Sequence, residues 1–421
     1  MIPFRLGDIP RPLLWILLLG LSLRLGAALT AKDAPPTEDA LEYSTIARNI
    51  AARGEFSFEP GKPTAMRPPL YPAFLAVFAK LCPGTWSCAR LAQALLDTST
   101  IVLIYLFGLG AFGRTREAVA GALLYAVHPV FIAYTTLIVT EPLFLWLWLL
   151  GLCLLVKVVK PGSSLLLAAG TGLVMGLAVL CRPAFMFFPP GACVMLLAMG
   201  RDRARLLPRL VLVVVMCYLA TVPWTIRNRV AMGAWGPVAT GGGAALWSGA
   251  QSMTTAEVQY QITQIQPAIM SQHGEFEGDA EFFRLAKADY RRNATVILKR
   301  LPRRLARYWL TSHSALFGLS EPVAVYRAQG RWGAIAARGI LWTFQLAILS
   351  LGVFALWRIR SAWTPEGTLA VAAMGYYSLH ILTGYWTNRY HLPALAVIAV
   401  FAAVAAVYLA ERAGLPSSSK T

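Results

Sequence analysis

The stretch "RPLLWILLLGLSLRLGAALT", residues 11–30, is apolar throughout except for Arg11 at its start and Arg24 within it. A helix of about 20 residues crosses the hydrocarbon core of a bilayer. In lipid the backbone must satisfy its own hydrogen bonds, which leaves helices and closed barrels as the only spanning structures. Runs of this length exceed a barrel strand, so the chain is constrained to a helical bundle in a membrane. Similar runs recur near 90–111, 117–135, 138–156, 164–181, 184–200, 209–226, 337–357, 366–385 and 391–410. The first run has the length of a full span and no small-residue cleavage site after it, so it is expected to stay in place rather than be removed as a signal peptide. Hydrophobic residues make up 57% and charged residues 14% of the chain. Soluble domains are about one quarter charged.

The formal net charge is +18. In a membrane chain the question is which side holds the basic residues. Arg5 and Arg11; Arg114 and Arg116; Lys157 and Lys160; Arg201, Arg203, Arg205 and Arg209; Arg358 and Arg360; and Arg412 and Lys420 occupy alternate connections. With ten spans they fall on one side, which the positive-inside rule makes cytoplasmic together with both termini. No nucleic-acid-binding motif accompanies the charge, and nucleic acid is not an expected partner. The opposite side receives two long segments, 31–89 and 227–336. The chain thus divides into residues 1–226, with the first outer loop; an extracytoplasmic segment, 227–336; and the C-terminal spans, 337–421. There is no internal repeat.

The first outer segment contains "TEDALEYSTIARNIAARGEF", residues 37–56. Asp39 and Glu42 form D-x-x-E ahead of Tyr43, Ile46, Ala47 and Ile50, which share one helix face. This is the pattern of a capping box. It equally places carboxylates where the chain leaves the bilayer, at a helix start whose positive partial charges favour ionised acids. In "TAMRPPLYPAFLAVFAKL", residues 64–81, Pro68 and Pro69 impose an extended approach. The apolar stretch from Leu70 to Leu81 is too short to span and reads as an interfacial or re-entrant helix. Arg67 at its mouth either snorkels to headgroups or contacts a phosphate.

These stretches resemble the first outer loop of the GT-C membrane glycosyltransferases, in particular the bacterial relatives of the family 39 protein mannosyltransferases and the lipid A aminoarabinose transferase. The resemblance rests on the Asp39 and Tyr43 start of a juxtamembrane helix and on "RPPLYP", which contains Arg67 and Tyr71. It extends to "TLIVTEPLFLWLWLL" (136–150, with Glu141), "CRPAFMF" (181–187, with Arg182), "VPWTIRNRVAMGAWGPVATGGGAALWSGAQ" (222–251, with Arg227 and Asn228) and "NRYHLPAL" (388–395, with Arg389 and Tyr390). Residues 252–336 match nothing in the family pattern.

The resemblance implies an all-α GT-C-like bundle of about ten transmembrane helices, with juxtamembrane helices in the first outer loop. It implies transfer of a sugar from a polyprenyl-phosphate carrier to a glycolipid, polysaccharide or protein acceptor outside the cytoplasm, in a bacterial inner membrane. A phosphate leaving group needs no general acid, so one carboxylate to take the acceptor's proton suffices for inversion. Cations must hold the phosphate as charge builds on it, and arginine's planar fork suits this best. The expected base is Asp39, with Asp33 as rival. Glu38 and Glu42 are read as caps or supporting groups, and Glu141 as a group orienting an arginine, a metal or the acceptor. Tyr43, Arg67, Tyr71, Arg182, Arg227, Asn228, Arg389 and Tyr390 are the expected substrate and phosphate contacts.

Some relatives need a divalent cation; Asp39 with Glu141 could hold one. The histidines, 128, 273, 313, 380 and 391, show no helical ligand pair. The Gly-rich turn 238–249 lacks the Lys-Ser/Thr of a P-loop and is either a tight outer turn or a donor of backbone N–H groups. Cys82 and Cys88 bracket "PGTWS" on the expected outer side, where oxidation is permitted, and the short Pro-Gly loop is able to bring them within bonding reach. The basic stretch 282–309 reads either as an interfacial helix against anionic lipid or as a solvated face. Competing classes are a lipid-linked sugar flippase or other transporter, which would show paired repeats and midplane sites, and a noncatalytic scaffold. Neither sugar, carrier nor acceptor identity is readable from the residues.

Overall fold

The computed structural model describes residues 10–32, 38–250, 260–358, 364–381 and 388–414. Asp33, Arg5, Arg360 and Lys420 lie outside the described residues. The described residues are helical almost throughout. The exception is a two-stranded antiparallel hairpin, Ser57–Glu59 with Lys62–Pro63, inside the first outer loop.

Among the described residues, six helical stretches are long and apolar enough to cross a membrane: Arg11–Thr30, Ser87–Phe112, Glu141–Val158, Arg203–Met232, Trp332–Arg358 and Arg389–Arg412. The remaining expected spans are shorter. They are helix α5 (Thr115–Ala126) with α6 (Pro129–Tyr134), helix α8 (Leu165–Cys181), the stretch Pro183–Met199 and helix α17 (Pro365–Leu379). In chain order the others are α1 (Arg11–Thr30), α2 (Glu38–Arg53), α3 (Leu70–Leu81), α4 (Ser87–Phe112), α7 (Glu141–Val158), α9 (Phe188–Met199), α10 (Arg203–Leu219), α11 (Val222–Met232) and α12 (Gly242–Ala250). They continue with α13 (Gln266–His273), α14 (Glu275–Trp309), α15 (Val323–Ala328), α16 (Trp332–Arg358) and α18 (Leu392–Arg412).

The span expected over 117–135 is therefore two helices. Pro129 disfavours a helical conformation at His128, and His128 instead caps α6, its Nδ1 accepting from Val130 N at 3.3 Å. The break leaves carbonyls at the end of α5, and Arg24 of α1 takes them. Its Nη1 donates to Ala126 O at 2.8 Å, while Nε donates to Asp97 Oδ2 of α4 at 2.6 Å. Tyr125 Oη donates to the other Asp97 oxygen at 2.6 Å. Arg24 and Asp97, the main charges inside spans, are fully enclosed and serve as a three-helix clamp at a broken helix.

Helix α18 is buried on every side from Leu392 to Phe401, the pattern of a helix apolar all round. It forms the centre against α16, α5 and α4. Helices α8 and α10 approach so closely that a Cβ on Gly172 would lie 2.4 Å from Val213 O, and one on Gly176 2.5 Å from Cys217 O. Gly172 and Gly176 form the small-xxx-small spacing that allows such contact in lipid. Helices α2 and α3 pack together beside the mouth of the bundle. Cys82 and Cys88 are joined by a disulfide that closes the turn from α3 to α4.

A candidate active site of paired carboxylates and guanidiniums

Six charged side chains from five separate parts of the chain meet at one end of the bundle. Asp39 stands in the first turn of α2. Its Oδ1 accepts from Arg67 Nη2 at 2.5 Å, and its Oδ2 accepts from Arg389 Nη2. Arg67 also donates through Nε to Glu42, one turn along α2. Arg389 Nε reaches Glu141 Oε1 at 3.5 Å, and Arg182 Nη1 donates to the same oxygen at 3.2 Å. The sequence Asp39–Arg389–Glu141–Arg182 is thus an alternating chain of charge, with Arg67 and Glu42 at its outer end.

Exposure grades along it. The side chains of Asp39, Arg67 and Arg389 are 23%, 24% and 23% exposed, whereas Glu141 is 1% exposed. A ligand from outside meets Asp39 and its arginines first, and Glu141 lies at the floor. Glu141 Oε2 is enclosed without a hydrogen-bond partner. Burial alone would raise the Asp39 carboxyl, but the guanidiniums of Arg67 and Arg389 outweigh it and hold the group below its ordinary 3.8. Asp39 is therefore ionised at neutral pH.

The local sequence explains how each group is held. Arg67 lies over the Tyr43 ring, 5.2 Å from its centroid, and Tyr43 meets Tyr71 edge to face at 5.2 Å. Tyr71 is enclosed and donates to Gln93 Oε1 at 2.7 Å, while Gln93 Nε2 donates to the carbonyls of Thr135 and Leu137 at 3.0 and 2.9 Å. Tyr71 thus braces Tyr43 beneath Arg67. Arg182 terminates α8 and stacks over Tyr390 at 4.7 Å and Phe144 at 5.7 Å. Arg389 and Tyr390 sit in the single turn Asn388–His391 ahead of α18. Buried His391 anchors that turn, its Nε2 lying 3.2 Å from His313 Nε2 and its ring 5.2 Å from Tyr308 at the end of α14.

Arg227 and Asn228 stand apart from this cluster. Arg227 donates to Thr64 O at 2.8 Å and Phe56 O at 3.0 Å, with its guanidinium 4.7 Å from the Trp224 ring. Buried Asn228 accepts from Arg227 at 3.2 Å and donates to Pro237 O at 3.5 Å. Glu275 of α14 accepts from Thr64 Oγ1 at 2.6 Å and Ala65 N at 2.7 Å. Together they fix the backbone that leads into Arg67. The Gly-rich turn has its amides occupied: Gly241 N and Gly243 N donate to Asp279 Oδ1 at 3.0 and 2.8 Å.

Gln93, Asp279, Glu275 and the His313–His391 pair went unread in the sequence. Each lies on a helix or loop remote in sequence from its partner, and of them only His391 falls inside a quoted motif, "NRYHLPAL", where Arg389 and Tyr390 drew the reading. Asp39 and Glu42 pair with Arg67 where a capping box had been one expectation. A guanidinium, that of Arg389, stands between Asp39 and Glu141, the pair considered for a cation. Among the described residues no three His, Cys, Asp or Glu side chains converge as a metal-ligand set.

Residues 66–226 match the family described as dolichyl-phosphate-mannose-protein mannosyltransferase. No curated protein matches the chain at a significant level. Among solved structures, ArnT from Cupriavidus metallidurans bound to undecaprenyl phosphate is similar at 16% identity and a TM-score of 0.55, over 95% of this chain and 60% of that one. The Archaeoglobus fulgidus oligosaccharyltransferase in complex with Zn and sulfate is similar at 16% identity and a TM-score of 0.56, over 96% of this chain and 49% of that one. The archaeal oligosaccharyltransferase AglB with an inhibitory peptide and a dolichol-phosphate gives 15% identity and a TM-score of 0.54, over 96% and 50%. The chain thus spans between about half and three fifths of the length of these proteins. At such identities the likeness is one of fold. The chain has the GT-C membrane glycosyltransferase fold and, over residues 66–226, the sequence pattern of the dolichyl-phosphate-mannose-protein mannosyltransferase family.

Proposed function

We propose that the protein transfers a sugar, with inversion, from a polyprenyl-phosphate donor to an acceptor hydroxyl or amine on the extracytoplasmic side of a bacterial inner membrane. The observation that carries this reading is one partly open carboxylate, Asp39, held between the forks of Arg67 and Arg389. A phosphodiester-linked sugar needs those two elements side by side. Guanidiniums bind phosphate oxygens with two parallel donors. The carboxylate takes the proton of the acceptor as its oxygen or nitrogen attacks the anomeric carbon. The bond from that carbon to the phosphate oxygen breaks, and the electron pair leaves on polyprenyl phosphate, whose added charge the arginines stabilise.

The existing ion pairs suit this sequence of events. Arg67 and Arg389 hold the carboxylate in the place where a phosphate would compete for them. Donor binding then draws the guanidiniums away from Asp39, removes the influence that depresses its pKa, and makes it a stronger base when the acceptor arrives. Glu141 and Arg182 hold Arg389 and Tyr390 from below.

Purified protein incubated with a panel of polyprenyl-phosphate sugars and membrane glycolipid or peptide acceptors should release polyprenyl phosphate. Transport of an intact lipid-linked sugar across vesicles, with no release from any donor, would refute sugar transfer and favour a flippase.

A further inference from the structure

A second cavity lies on the opposite flank of α2 from Asp39. It has a volume of about 350 Å³ and is lined by Arg48, Ala51 and Ala52 of α2, Lys80 of α3 and the disulfide-closed turn from Cys82 to Trp86. Arg48 is nine positions beyond Asp39. At 3.6 residues per turn and 1.5 Å per residue this places it about half a revolution round the helix and about 13 Å along it. A phosphate held at Arg48 is therefore not the one held by Arg67 and Arg389.

Three features fit this cavity to a ligand. Arg48 and Lys80 are both exposed, and among the described residues neither has an ion-pair partner. The Arg48 guanidinium lies 5.4 Å from the Trp86 ring centroid, so it is oriented at the cavity wall. Trp86 is only 4% exposed, and among the described residues its indole Nε1 has no acceptor. A buried donor without a partner is uncommon and marks a place where an acceptor atom belongs.

The surroundings say which ligand. Helix α3 has 12 residues, too few to span. Its outward face carries Val77 and Leu81, 55% and 68% exposed, with Lys80 beside them. Apolar side chains flanked by a cation are the signature of a helix at the headgroup boundary. We infer that the cavity binds the phosphate headgroup of an anionic bilayer phospholipid, with Arg48 and Lys80 on the phosphate, Trp86 Nε1 donating to a headgroup oxygen, and acyl chain along Val77 and Leu81. The bound lipid seats α2 and α3 at a fixed depth, and with them Asp39 and Arg67.

Short-chain phosphatidylglycerol titrated into the full-length protein in an uncharged detergent tests this by calorimetry. Saturable binding is expected, with phosphatidylcholine of the same chain length far weaker. The double variant Arg48→Gln, Lys80→Gln should weaken phosphatidylglycerol by at least about tenfold, given roughly 1 kcal/mol per basic residue near anionic lipid. Ala52→Trp, which fills the cavity and keeps both charges, should weaken it to a similar degree. Thermal unfolding of both variants in lipid-free detergent checks that they remain folded. Phosphatidylglycerol bound equally by parent and both variants, or not at all, overturns the inference. Competitive displacement by undecaprenyl phosphate also overturns it, since the cavity would then belong to the carrier. Binding is read without any transfer reaction, so these results stand whether or not sugar transfer is found.

Discussion

Replacing Arg67 tests the site most directly, because this one side chain has two separable roles. It donates to Asp39 at 2.5 Å and to Glu42, and it is the guanidinium nearest the outer loop. Arg67→Gln removes a charged donor from the phosphate, and one hydrogen bond to a charged group contributes about 1.5–3 kcal/mol. At about 1.4 kcal/mol per factor of ten, transfer should fall roughly 10- to 100-fold. The same change removes one of the two cations that hold Asp39 below 3.8, leaving burial, which raises it, opposed by Arg389 alone. A base works only above its pKa, so the parent keeps activity as pH falls until the depressed Asp39 pKa is reached. In Arg67→Gln the acid limb of the kcat/KM profile, which reports the donor-free enzyme, should move to higher pH. Arg67→Lys retains a charge without the planar fork, so it should lose turnover with a smaller displacement of the acid limb. The assay is release of radiolabelled polyprenyl phosphate at donor concentrations below KM, from about pH 2.5 to 8, in detergent, across all three proteins, with the acid stability of each checked first. An acid limb at the same pH in parent and Arg67→Gln would refute the coupling of Arg67 to the base, even if the rate fell.

Asp39→Asn should preserve folding and donor binding yet lower turnover by roughly 10²–10⁴-fold, the range for a lost general base; parental rates would move the base elsewhere, with Asp33 next in line. Asp97→Asn leaves Arg24 enclosed beside a weaker partner and should destabilise the bundle by up to about 3–5 kcal/mol, read as a lowered midpoint of denaturation in mild detergent. Gly172→Val places a side chain where even a Cβ would stand 2.4 Å from Val213 O, so α8 and α10 should separate, and fluorescence-detected size exclusion should show aggregation. Single cysteines introduced at 45 or 287 should react with an impermeant reagent outside intact cells, and one at 204 should not; labelling at 204 would reverse the orientation.

Much of this protein was legible in the sequence because membranes impose simple local rules. Apolar length gives spans, and a helix too short to span, Leu70–Leu81, appears where its length requires; the side that the alternating basic connections suggest awaits the labelling experiment. The residues Asp39, Arg67, Glu141, Arg182 and Arg389 were also recognisable, since each stands at a span end or outer loop beside a motif. Their order in the site was not. That Arg389 would lie between Asp39 and Glu141 depends on the turn before α18 being anchored by His391 on the end of α14, a contact between residues dozens of positions apart. Arg227 shows the same limit from the other side: its motif suggests a phosphate contact, and only packing reveals its donors directed at Phe56 and Thr64. Arg24 and Asp97 are the clearest case. The sequence shows them only as isolated charges in the middle of two apolar runs. The tertiary structure brings them together because Pro129 breaks a helix in the interior, and a carbonyl without a partner there must be met by a side chain from elsewhere in the chain. Sequence fixes what each segment can tolerate in lipid; which polar groups satisfy one another is decided by how the segments pack.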